Sequence, residues 1–407
     1  MNILLLNHYA GSTAMGMEFR PYYLAREWVK MGHDVRIVGG DFSHLRIKNP
    51  KIKKDFTTQH IDGIKYTWLK TGEYEGNGVK RALSMLRYVS KLYFNAERIA
   101  RAWKPDVVIG SSTYPLDTYA AQKIAKCAKA TCVHEVHDMW PITLIELGGM
   151  KKTHPFVVMM QFAENSFCKH TDRVVSLLPC AKDYCVKHGM KPDHFRCVMN
   201  GVVKSEWDDP QPLPEEHEKL LDELRAKGKF IVCFFGSITD SYCIDYLIDA
   251  VKKLGNKNVA AVIVGDGTSL AKLKKQAASC GPDSVYFLPK IPKLAIPTML
   301  SKTDCLYVGA KKNDMFRFGI CMNKLFDSMM SGKPILYAVD APNNFITDYD
   351  CGVSVEAEDT DALVKGLDRL VKMPLSERNR LGANGRKAVL ENFTYEALAK
   401  QFIDAVK

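Results

Sequence analysis

Lys324 and Asp327 stand three residues apart in the stretch that runs from Arg317 to Pro334. On a helix that spacing projects both side chains from one face. The helix is expected to open near Met322, and Gly332 followed by Pro334 marks its end. Apolar runs at 304–308 and 335–339 read as strands before and after it. A cation and a carboxylate near a helix N-terminus, above the C-terminal edge of a parallel sheet, suit a ligand with a phosphate and a hydroxylated ring. The same pair could be a salt bridge on a surface helix, and spacing leaves both readings open. Lys311, Lys312 and Arg317 add positive charge in the preceding loop.

The elements that must position such a pair alternate along the chain. An apolar strand over residues 2–7 leads into the loop His8 to Met17, which carries Gly11 and Gly16. A helix with Tyr22, Tyr23, Leu24, Trp28 and Val29 at helical spacing follows, then a strand over 34–39. This is a βαβ unit with glycines at the first strand's C-terminal edge. The glycines are spaced Gly-x4-Gly, so the Gly-x-Gly-x2-Gly dinucleotide fingerprint of an NAD-dependent oxidoreductase is absent. Residues 46–70 read as a basic hairpin or an irregular excursion. Strands are expected at 106–110, 130–136 (before His137-Asp138-Met139-Trp140-Pro141) and 173–177, and residues 197–202 close the first half. A Pro-rich stretch and the charged helix after it, together 206–228, read as a linker. The alternation then restarts at 230–235 (before Gly236-Ser237), 259–264 (before Gly265-Asp266-Gly267) and 285–288 (before Pro289-Lys290-Ile291-Pro292). The last helices are expected from Gly385 to Asn392 and from Tyr395 to Val406.

The expected division is residues 1–205, a linker over 206–228, a second domain over 229–385 and a C-terminal helical segment over 386–407 that packs back on the first domain. The fold class is α/β, with two doubly wound, Rossmann-like domains facing each other across a cleft. A chain of 407 residues is too long for one ordinary core.

Composition narrows the partners. Hydrophobic residues make up 46% and charged residues 25%, as in a soluble globular protein. The formal charge of +11 fits nucleic acid, an anionic membrane surface or phosphorylated substrates. No basic run interleaved with aromatics argues for nucleic acid. The 12 cysteines are scattered, several inside apolar runs (Cys132, Cys233, Cys305), and read as reduced thiols in a reducing compartment. The N-terminal run reads as a buried strand rather than a signal peptide, which argues against a two-lobed periplasmic binding protein. No apolar run is long enough to span a membrane. Residues 79–94 have apolar positions at 79, 82/83, 86, 89/90 and 93, with Lys80, Arg81, Arg87 and Lys91 off that stripe. Such a helix can lie on an anionic bilayer or pack against the core with a solvated basic side.

The ordered set of motifs resembles the nucleotide-sugar glycosyltransferases of the GT-B fold, specifically the retaining family 4. The set comprises the N-terminal glycine loop, Gly32-His33-Asp34-Val35, Asn200-Gly201-Val202, Gly236-Ser237, Gly265-Asp266-Gly267, the 285–292 segment, Asn323-Lys324-Leu325-Phe326-Asp327 and Gly332-Lys333-Pro334. The element Asp138-Met139-Trp140-Pro141 resembles the subgroup that builds capsule, O-antigen or lipid-linked glycans. The resemblance implies transfer of a sugar from a nucleotide-diphosphate sugar, a UDP-sugar by expectation, with retention and without a metal or other cofactor. The acceptor would be a glycan or a polyprenyl-diphosphate-linked sugar. The place would be the cytoplasm, at the inner face of a membrane if Val79–Phe94 makes contact. A GT-B-fold UDP-sugar epimerase is the alternative.

Carried over by position, the donor site comprises Gly16, Gly236, Ser237, Gly265, Asp266, Pro289, Arg317, Asn323, Lys324 and Asp327. His137, Asp138 and Lys324 are the catalytic candidates. Asp327 takes the place of the carboxylate that accepts hydrogen bonds from the ribose. His137 and Asp138 contact the donor sugar or orient the acceptor, or Asp138 merely caps the next helix. The sequence departs from the family twice. Gly319 stands where the first glutamate of Glu-x7-Glu is expected. Ser237 and Ser241-Tyr242 stand where the family's diphosphate-gripping Arg and Lys belong, which leaves Lys324, Arg317 and Lys311 to supply the charge.

Overall fold

The structure, a computed structural model, describes residues 1–16, 19–281 and 283–407. Met17, the last residue of the expected glycine loop, lies outside the described residues. The chain divides into two compact units, Met1–Asn200 with Tyr395–Lys407, and Gly201–Thr394.

The first unit is built on eight strands: β1 (Asn2–Leu6), β2 (Asp34–Gly40), β3 (Thr57–Ile61), β4 (Ile64–Leu69), β5 (Val107–Gly110), β6 (Thr131–Val136), β7 (Arg173–Ser176) and β8 (Phe195–Cys197). Their order is β3-β4-β2-β1-β5-β6-β7-β8. All neighbours are parallel except the β3–β4 hairpin, the ordered part of the expected 46–70 excursion. The strands read as unbroken apolar runs because helices cover both faces. On one face Leu4, Leu6, Val38 and Val108 pack against Tyr88, Leu92, Ile99, Ala121 and Ile124. Each such fully buried aliphatic side chain is worth about 1.5–3 kcal/mol.

The second unit carries β9 (Phe230–Ser237), β10 (Val259–Asp266), β11 (Val285–Leu288), β12 (Cys305–Gly309), β13 (Ile335–Ala338) and β14 (Gly352–Ser354) in the order β11-β10-β9-β12-β13-β14, all parallel. Both sheets reverse their winding direction once, between β1 and β5 and between β9 and β12. In open α/β sheets ligands bind at the carboxyl ends of the strands at that reversal.

Two elements differ in extent from expectation, the helix around Gly385 and the segment 197–202. The 206–228 stretch contains a helix, Glu215–Ala226, that buries Leu221 and Leu224 against Ile231, Cys233 and Leu300. His217 of that helix bonds the Pro289 carbonyl at 2.8 Å. Its composition resembles a linker because one face of it is solvated. The helix expected to begin at Gly385 runs from Leu375 to Asn392. Gly385 is interior to it, at a close approach where a Cβ would sit 3.2 Å from that of Cys351. The Tyr395–Val406 helix belongs to the first unit, where Trp28 Nε1 donates to the Ala399 carbonyl. The segment 197–202 that closes the first half follows β8, which ends at Cys197.

The 12 cysteines stand as reduced thiols, with Cys132, Cys233 and Cys305 buried. Among the described residues no helix is long and apolar enough to cross a membrane.

Candidate functional site

The winding reversal of the second unit brings the strongest sequence candidates together. β9 ends in Gly236-Ser237 and β10 in Gly265-Asp266, paired in register. Gly265 has φ +149°, and a Cβ there would collide with the Gly236 carbonyl, so the two strand ends lie against each other only as glycines. These four residues line a cavity of about 420 Å³ together with Lys290 and Ile291. Pro289, just before Lys290, is exposed.

The helix Asn323–Met330 opens after Met322. Lys324 does not pair with Asp327. Its ammonium is buried without a hydrogen-bond partner, over the rings of Tyr242 (3.2 Å to the centroid) and Phe234 (4.3 Å). A Cβ added to Gly236 would lie 3.3 Å from its Nζ. Lys324 therefore delivers a cation to the β9 edge, where the family's usual pair is missing, and Tyr242 forms the floor beneath it. Burial lowers its pKa to about 7. Asp327, one turn on, is half-buried. Burial raises its pKa to about 6, with Lys293 opposing and Glu206 adding. An ammonium and a carboxylate kept apart and poorly solvated are arranged to meet charge and hydroxyls supplied by something else.

Asn323 is exposed at the helix start. Arg317 donates to the Asp314 carbonyl and covers the Phe318 ring, so it is turned onto its own loop. Gly319 has φ +84°, a left-handed conformation that disfavours the glutamate expected there. Gly16 lies in the first unit, at φ +84°, closing a short turn over Thr13–Met15.

At the first unit's winding reversal a second cluster forms. Glu135 of β6 is fully buried. Arg20 grips its Oε1 through Nε and Nη2 at 3.0 and 2.9 Å. The same guanidinium bonds the Val198 and Met199 carbonyls and Asn200. Glu135 Oε2 accepts from Ser111 Oγ at 2.6 Å and lies 3.1 Å from His137 Nε2. Burial works to raise the Glu135 pKa, but Arg20 and His137 overrule it and hold the carboxyl well below the usual range. An anionic Glu135 calls for a proton on His137 Nε2 and so fixes which way the ring faces. Asp138 Oδ1 accepts from the Met139 amide and Thr143 Oγ1 within its own turn. His134 is a core histidine stacked on Phe167, and burial pushes its pKa down to about 3.

Sequence reasoning passed over Glu135, Ser111, Arg20 and Lys290. One signal was available for Glu135, a charged residue inside the apolar run Cys132 to Val136, since buried charges are kept only with partners.

The family model described as "Glycosyl transferase 4-like domain" matches residues 15–201, and that described as "Glycosyl transferases group 1" matches residues 216–388. The chain belongs to the GT-B glycosyltransferases. The putative colanic acid biosynthesis glycosyl transferase WcaI of Escherichia coli K12 is 22% identical over 396 residues, 94% of each chain. The probable glycosyltransferase WbjE of Pseudomonas aeruginosa is 23% identical over 320 residues, 77% of each chain. The crystal structure of Anabaena HepE in complex with UDP and glucose superposes with a TM-score of 0.65 at 15% identity, covering 99% of this chain and 98% of that one. These likenesses favour a glycosyltransferase over the epimerase alternative.

Proposed function

We propose that this glycosyltransferase is a family 4 enzyme that moves a sugar from a UDP-sugar, with retention and without a metal, onto a glycan or polyprenyl-diphosphate-linked acceptor of surface polysaccharide (capsule or O-antigen) biosynthesis. Its place is the cytoplasmic face of a membrane. The observation that carries the reading is the buried ammonium of Lys324 without a hydrogen-bond partner, set over the glycine edge of β9 beside Asp327. The name of WcaI and the UDP in HepE support the pathway and the nucleotide.

In this reading Lys324 stabilises the charge that develops on the leaving diphosphate, in a poorly solvated place where a fixed cation acts strongly. Asp327 accepts a hydroxyl of the ribose. His137, oriented by Glu135 at the carboxyl edge of the first unit's sheet, is the candidate contact for a sugar hydroxyl. The leaving phosphate takes the acceptor's proton on the face it departs from, so the chain's task is positioning and charge.

Thermal-shift titration with UDP, GDP and ADP tests the nucleotide, since a ligand of the native state raises the midpoint by mass action. A rise with UDP and none with the others is expected. A response to GDP or ADP instead would reassign the base. The anomeric configuration of the product, read by NMR with and without EDTA, tests retention and metal independence.

Asp327→Ala is expected to weaken UDP binding by about 1.5–3 kcal/mol, the cost of removing a charged acceptor. Calorimetric titration of the folded variant checks this, and unchanged affinity would remove Asp327 from the site. The two shifted groups also predict a bell-shaped kcat/KM. Asp327 becomes anionic as pH rises through about 6, and Lys324 loses its proton as pH rises through about 7. Both are charged only in the window between, so activity should rise on the acid side and fall on the basic side. Asp327→Asn should abolish the acid limb.

A further inference from the structure

After β11 the chain leaves the sheet and becomes a wall of the cavity at the β9 and β10 edge. Lys290, Ile291 and Ile296 line that cavity with the two glycine ends. β11 stops at Leu288, and the next short helical turn is Lys293–Ala295. Residues 289–291 lie between them, outside ladder and helix. Among the described residues they receive a single hydrogen bond, from His217 Nε2 to the Pro289 carbonyl at 2.8 Å. A carbonyl only accepts, so Nε2 is the donor.

The helix Glu215–Ala226 alone does not call for a histidine at that position. His217 is 2% exposed and stands four and seven residues before Leu221 and Leu224, on the face that enters the core. Its Nδ1 is buried without a hydrogen-bond partner. A leucine would continue the apolar face and leave no buried polar atom unsatisfied. What the imidazole adds over leucine is the bond to Pro289.

The segment before this helix runs along the same wall. The Gln211 amide donates to the Leu294 carbonyl at 2.8 Å, and Thr298 Oγ1 donates to the Gln211 carbonyl at 2.6 Å. Lys293 pairs with Glu206 at 2.8 Å. Next to burial, those two charges are what acts on Asp327, Lys293 lowering its pKa and Glu206 raising it. Residues 206–217 therefore brace the cavity wall from behind, and His217 supplies the tie adjacent to Lys290 and Ile291.

We propose that His217 is a positioning residue of the donor site: through the Pro289 carbonyl it fixes the wall formed by Lys290 and Ile291, and so sets nucleotide affinity without touching the nucleotide. The inference rests on the donor reading above and adds to it a residue that lies behind the cavity. A wall that samples several positions must be ordered when the nucleotide binds, and that ordering subtracts from affinity.

Calorimetric titration with UDP and thermal melts of the full chain test this on His217→Leu and His217→Gln. His217→Leu removes the donor and the unsatisfied nitrogen together. It should weaken UDP binding about tenfold, the upper range for one net hydrogen bond, and melt no lower than wild type. His217→Gln carries an amide NH₂ that reaches the same carbonyl and should bind UDP within about threefold of wild type. A His217→Leu variant that binds UDP as tightly as wild type overturns the inference. So does one that fails to fold, or that melts lower with its UDP affinity kept, because the histidine is then a core residue. Where midpoint and affinity fall together, His217→Gln decides: restored affinity sustains the inference, and affinity as weak as that of His217→Leu overturns it. Wild type that binds GDP or ADP in place of UDP changes only the nucleotide used in the titration. Wild type that binds none of the three overturns the donor reading and this inference with it.

Discussion

Lys324→Met is expected to lower kcat by about 10²–10³-fold, the cost of removing one preorganised charge-stabilising group. The same change should raise the unfolding midpoint of the ligand-free second unit by about 2–8 °C. The physical reason is one and the same. The ammonium is buried against Tyr242, Phe234 and Gly236 without a hydrogen bond, so the fold carries a charge it does not solvate. Methionine fills a similar volume with no charge to bury. Linkage gives an independent check. The pKa of Lys324 is about 7 in the fold and 10.5 ordinarily, so between those values the unfolded chain binds more protons. Wild-type stability should then rise with pH across that window, and Lys324→Met should remove this contribution. Circular dichroism melts at several pH values and initial rates read the two effects. A variant less stable than wild type, or one with native turnover, would show that Lys324 serves structure and that Lys290 or Lys311 is the working cation.

Glu135→Ala should cost about 3–5 kcal/mol of stability, the range for breaking a buried ion pair from one side. Arg20 would lose the carboxylate it holds with two hydrogen bonds and remain buried, and Ser111 and His137 would lose a common acceptor. The pH dependence has a definite sign. A carboxyl held below its ordinary 4.5 contributes stability that is present above that value and lost as pH falls. Wild type should therefore lose stability below about pH 4.5 more steeply than the variant. Glu135→Gln keeps the shape and tests the histidine apart from the fold. Nitrogen-15 shifts of His137 should report the proton on Nε2 in wild type and a mixture of tautomers in Glu135→Gln. Equal stability of Glu135→Ala and wild type would mean that the Arg20–Glu135 pair contributes nothing net. Unchanged His137 shifts would assign the ring's orientation to Ser111.

Much of the fold was legible because its strands are covered on both faces. Runs such as residues 230–235 and 259–264 are continuously apolar and stop at glycine, and that pattern with helices between leaves few architectures. Helix ends marked by a flexible residue and a blocker, as at Gly332 and Pro334, were equally local. Elements with one solvated face were harder. The helix Glu215–Ala226 contributes Leu221 and Leu224 to the core and charge to the surface, so it reads as a charged helix of a linker rather than as part of the core. The helix Val79–Phe94 carries apolar residues on opposite sides, and periodicity cannot say which stripe faces inward.

The division follows the range of the interactions. The sequence by itself determined the two runs of βα alternation, the glycine edges, the helix that carries Lys324 and Asp327, and the excess of positive charge in the first 200 residues. These depend on neighbours a few positions apart, through burial and backbone preference. Only the tertiary structure decided that Lys324 turns away from Asp327 to lie over Tyr242, 82 residues earlier, that Arg20 holds Glu135 across 115 residues, and that Trp28 is the residue that bonds the last helix at the Ala399 carbonyl. Those contacts form where strands distant in sequence become neighbours in a sheet, and a buried charge chooses its partner from whatever the packing brings within reach.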